Sequence, residues 1–325
     1  MDKLDLTYEI YLMLSLRPGY VSGEAMGERL GISRAAVGKH IQRLKDMGFD
    51  ISSSPRSGHM LTGDKDIYNG YTVRRALERA GVKIPVLFLE NTASTNTYAK
   101  QTAVPAPEFL VVAREQTGGR GRKNRAFESA AGGLYSSYVC VPSELSPYDG
   151  IKAVLAAGCA VAAALENAGA DGVGLKWPND VLIGGKKVSG ILCEMVSSSD
   201  RVEKLVLGTG INVSNKLPQN LSEIAASLEQ LGCDVQPSAL LADYVVQLRQ
   251  RLKLLCAGEF SAVLQEYRSR CITVGRNVKV TEGGKELAGI ASGVDDDGFL
   301  RVVTAEGEER VISGDVWTVS RDGEE

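Results

Sequence analysis

The sequence predicts an α+β protein of more than one domain, and three observations carry that reading. The chain has 325 residues, long for a single compact core, so two or three domains are expected. Its central stretch sets apolar runs in hairpin order with the helices gathered elsewhere, the pattern of an α+β fold and not of a doubly wound sheet. Its ends differ from that centre: helices come first, and short strands alone come last. Boundaries are expected at 1–64, 65–270 and 271–325.

A formal net charge of −3 gives no global basic field, so any nucleic-acid contact must be local. Cys140, Cys159, Cys193, Cys233, Cys256 and Cys271 form no Cys-x-x-Cys pair, and the only histidines are His40 and His59. A zinc site is therefore not expected, and isolated thiols fit a reducing cytoplasm. Ser-His-Asp chemistry is disfavoured because the central region holds no histidine. The first residues, Met1-Asp2-Lys3-Leu4-Asp5-Leu6, lack a signal peptide's apolar core. No run of transmembrane length is found, and no membrane partner is expected.

Thr7–Leu16 reads as an amphipathic helix stopped near Arg17-Pro18-Gly19. Ser22 caps a short helix, Gly23–Leu30; Gly31-Ile32 turns the chain, and Ser33 caps a second helix, Arg34–Met47. Val37, Ile41 and Leu44 share one face of that helix, while Arg34, Lys39, Gln42, Arg43 and Lys45 point elsewhere. Ile51–Leu61, bending at Pro55 and Gly58, reads as a two-stranded ribbon. This order is the winged helix-turn-helix pattern, and it predicts DNA binding. Candidate DNA-binding residues are Ser22, Ser33, Arg34, Ala35, Gly38, Lys39, Gln42 and Arg43, cations for phosphates and an exposed first turn for base edges. Gly38 costs the helix about 1 kcal/mol relative to Ala; it either admits DNA closely or merely weakens the helix. An ordinary solvated helix face is the competing reading.

Asp64–Gly81 holds a short helix, Thr72–Arg79, and reads as a link. Strands are expected at Val86–Leu89, Leu110–Arg114, Leu134–Val141, Gly172–Trp177, Val181–Ile183, Val188–Val196 and Lys204–Val213. Helices are expected at Asp149–Ala168, Ser238–Leu255 and Phe260–Ser269. From Thr273 to Val319 short strands turn at Gly283-Gly284 and Asp297-Gly298, which suggests a small barrel.

The most informative stretch runs from Leu175 to Met195. Lys176 and Lys187 are read on opposite arms of a strand–turn–strand unit turning at Gly184-Gly185. Two rigid cations on neighbouring strands suit a ligand with carboxylate and phosphate groups; an ordinary hairpin with exposed lysines is the alternative. Lys176-Trp177-Pro178-Asn179-Asp180 crowds an aromatic, a proline and short polar residues at a strand end, where ligand contacts concentrate.

A second cluster, Gln116 to Phe127, packs Arg120, Arg122, Lys123 and Arg125 among Gly118, Gly119 and Gly121. Glycines let backbone N–H groups converge on an anion, and arginine offers paired donors. Such a loop is expected to repel itself open until an anionic ligand closes it; a solvated basic loop or a general nucleic-acid contact is the competing reading, favoured on the charges alone. Neither nucleotide fingerprint is complete: Asn124 stands where a third glycine is needed, and Asp180 where a Walker loop needs glycine. Gly208-Thr209-Gly210-Ile211-Asn212 would let a flat ligand lie on backbone, or marks a β-bulge. Ser94-Thr95-Asn96 offers hydrogen bonds to a ligand head group, or caps the next helix; alone, capping is favoured.

Together and in this order, these motifs resemble the biotin–protein ligases, in their bifunctional form that is also the biotin operon repressor. Ser-Thr-Asn, Gln…Gly-Arg-Gly-Arg, Lys-Trp-Pro-Asn-Asp, the Lys ahead of Ser-Gly-Ile, Gly-x-Gly-Ile-Asn and the N-terminal Ser-Arg-Ala-Ala-Val-x-Lys-His-Ile carry the resemblance. It covers nearly the whole chain. It implies a winged helix-turn-helix, a central biotin/lipoate-ligase-like catalytic domain with a mixed sheet, and a C-terminal SH3-like β domain.

The implied reaction joins biotin to ATP as biotinyl-5′-AMP with Mg²⁺ assistance, then passes biotin to a lysine of a biotin carboxyl carrier protein. By resemblance Ser94, Thr95, Asn96 and Gln116 line the biotin site, with Gly208 and Gly210 offering backbone. Arg120, Gly121 and Arg122 belong to the ordering loop, with Phe127 as its aromatic lid. Lys187 meets the carboxylate, Asn179 the adenine and Lys176 the phosphates. From the chemistry of the site, and not from the resemblance, Asp180 is a candidate either to hold the metal or to help deprotonate the acceptor lysine. An adenylate-promoted homodimer would present two winged helices to operator DNA.

This chain departs from the family at three points. Phe127 stands where Trp is common, Asn124 replaces a glycine, and Val319 stands where an arginine is expected, with Arg321 nearby. The rival readings are a lipoate ligase and a biotin sensor without catalysis.

Overall fold

The computed structural model describes residues 5–64, 67–104, 106–142, 144–198, 201–282 and 285–318. The expected turn at Gly283-Gly284 and the positions Val319 and Arg321 lie outside them. The chain divides into two compact units, Met1–Arg79 and Ala80–Glu325.

The first unit contains α1 (Leu6–Ser15), α2 (Gly23–Leu30), α3 (Arg34–Asp46), the ribbon β1 (Asp50–Ser54) and β2 (Gly58–Gly63), and α4 (Gly70–Arg79). The helix starts follow their caps. Ser22 accepts from the amides of Glu24 and Ala25, and Ser33 accepts from that of Ala36. Gly31 ends α2 at φ 68°, a left-handed conformation that glycine adopts without strain. Tyr8, Tyr11, Met26, Val37, Ile41 and Leu44 form the buried core.

The first compact unit runs on past residue 64 to Arg79. α4 belongs to this unit because Glu78 accepts a hydrogen bond from Tyr8 at 2.7 Å, Arg75 pairs with Asp64, and Arg74 lies 4.0 Å from the centre of the Tyr8 ring. The contacts with Tyr8 join α4 to a residue some 70 positions earlier, which local composition cannot reveal.

Arg34, Ala35, Gly38, Lys39, Gln42 and Arg43 are all exposed on α3. Arg34 donates to the carbonyl of Pro55 at the ribbon tip, and Gln42 donates to Asp46. A Cβ built on Gly38 meets nothing within 4 Å, so glycine there is not demanded by packing. Gly38→Ala is expected to raise stability by up to about 1 kcal/mol, read as a higher unfolding midpoint in urea. If DNA backbone approaches this face, the same variant loses operator affinity; equal stability and equal affinity would contradict both expectations.

The second unit opens with β3 (Val86–Thr92), α5 (Thr95–Gln101), β4 (Glu108–Gln116), β5 (Leu134–Cys140) and α6 (Gly150–Asn167). Next come β6 (Val173–Lys176), β7 (Asp180–Ile183), β8 (Lys186–Ser198), β9 (Arg201–Ile211), α7 (Pro237–Cys256) and α8 (Phe260–Arg270). Seven strands form a mixed sheet in the order β3-β4-β5-β9-β8-β7-β6, with β3 and β4 parallel and the other neighbours antiparallel. The parallel pair departs from pure hairpin order because α5 crosses between its strands.

Lys176 and Lys187 do not stand on adjacent arms. β7 lies between their strands, and the Gly184-Gly185 turn (φ 57° and 81°) joins β7 to β8. Along β9 the faces alternate. Val206 packs with Ala99 of α5, whereas Thr209 shares a 2.6 Å hydrogen bond with Tyr244 of α7. Gly208 and Gly210 therefore face the α5 side.

The helix segment Pro147–Asn167 is long and apolar enough to span a bilayer, contrary to the sequence reading; 72% of its most apolar window is buried within the fold, as in a core helix. The tail forms β10 (Asn277–Glu282), β11 (Lys285–Val294), β12 (Leu300–Thr304), β13 (Gly307–Val311) and β14 (Asp315–Thr318). They make an antiparallel sheet in the order β13-β12-β11-β10-β14, with no ladder closing β13 onto β14 among the described residues. Trp177 ties this tail to the central sheet. Its buried indole N–H donates to the Gly298 carbonyl at 3.0 Å, and its backbone N–H donates to the Thr273 hydroxyl at 2.9 Å.

Candidate functional site

A cavity of about 880 Å³ opens between the central sheet, the loop after β4 and the last strand, β14. It is lined by Ser94, Thr95, Asn96, Gln116, Arg120, Gly121, Arg122, Phe127, Lys176, Asn179, Asp180, Lys187, Gly208 and Gly210. These candidate ligand-binding residues thus meet in one place, although they are spread over more than 110 positions.

One end of the cavity is neutral and polar. Gln116 Oε1 accepts from the Thr95 amide (2.8 Å) and hydroxyl (3.1 Å), and Gln116 Nε2 donates to Ser129 (2.9 Å). Asn96 is buried at the start of α5. Its Nδ2 donates to Glu194 at 2.8 Å, and its Oδ1 lies 2.6 Å from the Ser137 hydroxyl. Lys100 pairs with the other oxygen of Glu194 at 2.6 Å. Ser94 is buried but makes no side-chain cap bond to α5, so the capping reading is not realised.

The β-bulge reading of Gly208 and Gly210 also gives way. β9 keeps unbroken register with β5 through this stretch. The glycines instead permit close approach: a Cβ on Gly208 would lie 2.3 Å from Asn96 Oδ1, and one on Gly210 would lie 2.4 Å from the Phe127 ring. Phe127 therefore lies directly on the floor of the cavity, closing it from above.

The other end is cationic. Lys187 Nζ pairs with Asp180 at 2.6 Å and stands 5.9 Å from the Phe127 ring centre. Arg122 reaches the Gly314 carbonyl at 3.2 Å and Asn179 Oδ1 at 3.5 Å. Asn179 in turn donates to the Ile191 carbonyl, bracing the corner after β6 against β8. Arg125 and Lys176 both approach Trp317.

The loop was expected to splay open through its own charge, but it lies folded. Gly121 N donates to the Arg125 carbonyl at 2.7 Å, Phe127 N to the Gly119 carbonyl at 3.0 Å, and Lys123 Nζ to the Thr281 carbonyl at 3.1 Å. Carbonyl acceptors and aromatic faces separate the cations and offset their repulsion. Lys123 and Asn124 adopt φ 53° and 58°. Asparagine tolerates that left-handed conformation better than most residues, so Asn124 serves where a glycine was expected.

Ser137, Ser129 and Glu194 were not among the candidate site residues. Ser137 and Glu194 reach Asn96 only through strand pairing, Ser137 lying opposite Gly208; no local motif marks them. Asp180 is engaged by Lys187, and no group of three His, Cys, Asp or Glu side chains able to hold a metal occurs among the described residues. Burial pushes the Cys193 thiol up to about 12, so it stays protonated at neutral pH and is no nucleophile.

Comparison with known proteins adds three domain matches. Residues 88–212 match the biotin/lipoate A/B protein ligase family, residues 273–317 the biotin protein ligase C-terminal domain, and residues 7–60 a helix-turn-helix domain. The bifunctional ligase/repressor BirA of Bacillus subtilis is 32% identical over 307 residues, covering 91% of this chain and 93% of the relative. That of Escherichia coli is 31% identical over 301 residues, covering 91% and 92%. Among solved structures, the biotin protein ligase of Aquifex aeolicus in complex with biotin and ATP superposes with a TM-score of 0.64 at 30% identity, covering 72% of this chain and 97% of that one.

Proposed function

This chain belongs to the biotin protein ligase family, and from that premise we propose how its cavity divides the work. The protein is a biotin–protein ligase that makes biotinyl-5′-AMP from biotin and ATP and transfers biotin to a lysine of a carrier protein. Its helix-turn-helix unit makes it a DNA-binding repressor as well. The acceptor is a biotin carboxyl carrier protein, by the chemistry of its close relatives.

The neutral end, with Thr95, Asn96, Gln116 and Ser137, takes the ureido ring of biotin. The cationic end, with Lys187, Arg122 and Lys176, takes the acid and the phosphates. When a carboxylate attacks a phosphate two anions must meet, so catalysis rests on fixed positive charge where negative charge accumulates. Asp180 holds Lys187 in place through one of its three N–H donors, leaving the others for ligand oxygens. Phe127 excludes water from the mixed anhydride, and no enzyme nucleophile is needed because that anhydride is itself activated. Asn179 and the loop residues Arg120 and Gly121 frame the adenylate, and Ser94 completes the wall beside the biotin ring. Mg²⁺ enters as the counter-ion of the nucleotide phosphates and not as a resident cofactor.

The observation that carries the choice of biotin is the buried hydroxyl and amide cluster at the neutral end. These hydroxyl and amide groups hold one another and can meet the N–H and C=O groups of a ureido ring, for which the dithiolane ring of lipoate has no counterpart. With ATP and Mg²⁺, pyrophosphate release is expected with biotin and not with lipoate; equal release with both would contradict the assignment.

An adenylate-promoted homodimer through the central sheet would place two winged helices on a palindromic operator. The support is that, among the described residues, β3 pairs on one side only and so leaves a sheet edge. Sedimentation with biotin and ATP is expected to show a dimer, and a monomer at saturating adenylate would overturn this. The six thiols form no disulfide, which is compatible with a reducing compartment such as the cytoplasm.

A further inference from the structure

Asn96 lies across one row of the central sheet. In that row Ser137 of β5, Gly208 of β9 and Leu192 of β8 stand opposite one another. The amide of Asn96 crosses Gly208 so closely that a Cβ there would lie 2.3 Å from Oδ1 and 2.8 Å from Nδ2. Its two ends meet different chemistry. Oδ1 lies 2.6 Å from the Ser137 hydroxyl, whereas Nδ2 donates to Glu194 Oε2 at 2.8 Å and to the Leu192 carbonyl at 3.3 Å. Glu194 stands two residues after Leu192 on β8, and so on the same face. Its other oxygen, Oε1, accepts from Lys100 Nζ at 2.6 Å, one turn further along α5.

We propose that Glu194 is a positioning residue: held by Lys100, it fixes the polarity of the Asn96 amide and so selects a ligand that brings an N–H donor to the neutral end of the cavity. The proposal rests on the ligase reading given above and names the pair that lets the biotin site read a urea. The two ends of an asparagine amide are nearly equal in size, so the partners around them decide which end points where. An ionised carboxylate only accepts. Glu194 therefore admits Nδ2 and excludes Oδ1, and Lys100 keeps the carboxylate aimed. Both hydrogens of Nδ2 are then engaged, by Glu194 and Leu192. What Asn96 has left to offer the cavity it lines is acceptor capacity on Oδ1. A ureido N–H meets that acceptor, and a ring without donors does not.

Calorimetric titration of the full chain with biotin, without ATP, tests this. Glu194→Gln keeps the shape of the side chain but leaves it one acceptor oxygen. The Lys100 ammonium can only donate, so it takes that oxygen and turns the glutamine NH2 against Asn96 Nδ2. Biotin affinity is expected to fall about tenfold, while KM for ATP stays within about twofold of wild type. Adding Lys100→Met releases the oxygen to Asn96. The double variant is therefore expected to recover biotin affinity to within about threefold of wild type. An ion pair that merely braced α5 on β8 would give the opposite order, because the double variant loses it completely.

The proposal is overturned by a biotin affinity in Glu194→Gln within about twofold of wild type, by a loss shared equally with ATP, or by a double variant that binds as weakly as the single one. A wild type that binds no biotin strikes the ligase reading instead. The side-chain amide of Asn96, assigned by NMR in isotope-labelled protein from its loss in Asn96→Asp, then still tests the positioning. Slow hydrogen exchange is expected in the wild type and the double variant, and fast exchange in Glu194→Gln. Equal exchange in all three overturns the proposal.

Discussion

Lys187→Ala is expected to slow adenylate formation by at least about 100-fold, the scale of losing one preorganised group that stabilises developing negative charge. The reason is more than a lost cation. Asp180 sits 2.6 Å from Lys187 Nζ, and removing the lysine leaves a carboxylate facing the place where carboxylate and phosphate must meet. Asp180→Asn is expected to do less harm, since it frees Lys187 without adding negative charge. Folding should be nearly unaffected, because a pair about a third exposed on one side contributes only about 0–1 kcal/mol. Single-turnover adenylation with a parallel melting curve checks this. A rate within a few-fold of wild type would remove Lys187 from the mechanism.

Gly208→Ala is expected to raise KM for biotin by about 10- to 100-fold. The added Cβ would lie 2.3 Å from Asn96 Oδ1, closer than any real contact, and neither partner can yield freely. Gly208 is on an interior strand paired on both sides with β5 and β8. Asn96 is held by Glu194, Leu192 and Ser137. Overpacking of this kind costs about 1–3 kcal/mol of stability, so calorimetry of biotin binding should be read beside the unfolding midpoint. Wild-type biotin affinity in Gly208→Ala would mean that this face of β9 does not carry the ligand.

Much of this was legible in the sequence because local chemistry fixes local structure. Gly184-Gly185 marked its turn, Ser22 and Ser33 their helix starts, and Pro55 with Gly58 the ribbon bend. The paired glycines at 208 and 210 announced close approach without saying what approaches. The answer, Asn96 and Phe127, comes from residues more than 80 positions earlier.

What stayed hidden depends on strand order and register. β7 separates the two lysines of the site, and Ser137 becomes a site residue only because β5 places it opposite Gly208. α4 read as a linker because its partners, Tyr8 and Asp64, lie in other elements. The loop was expected open because its charges are visible in the sequence, whereas the carbonyls that receive them, at Gly314 and Thr281, are not.

The central claim is that a sheet-braced ammonium and guanidinium cluster lets one acid meet one nucleotide. Mass spectrometry of the small molecule retained by the protein after incubation with biotin, ATP and Mg²⁺ tests it most directly. Bound biotinyl-5′-AMP is predicted for the wild type and none for Lys187→Ala. Free AMP with no retained adenylate, or adenylate formed equally by the variant, would contradict the account.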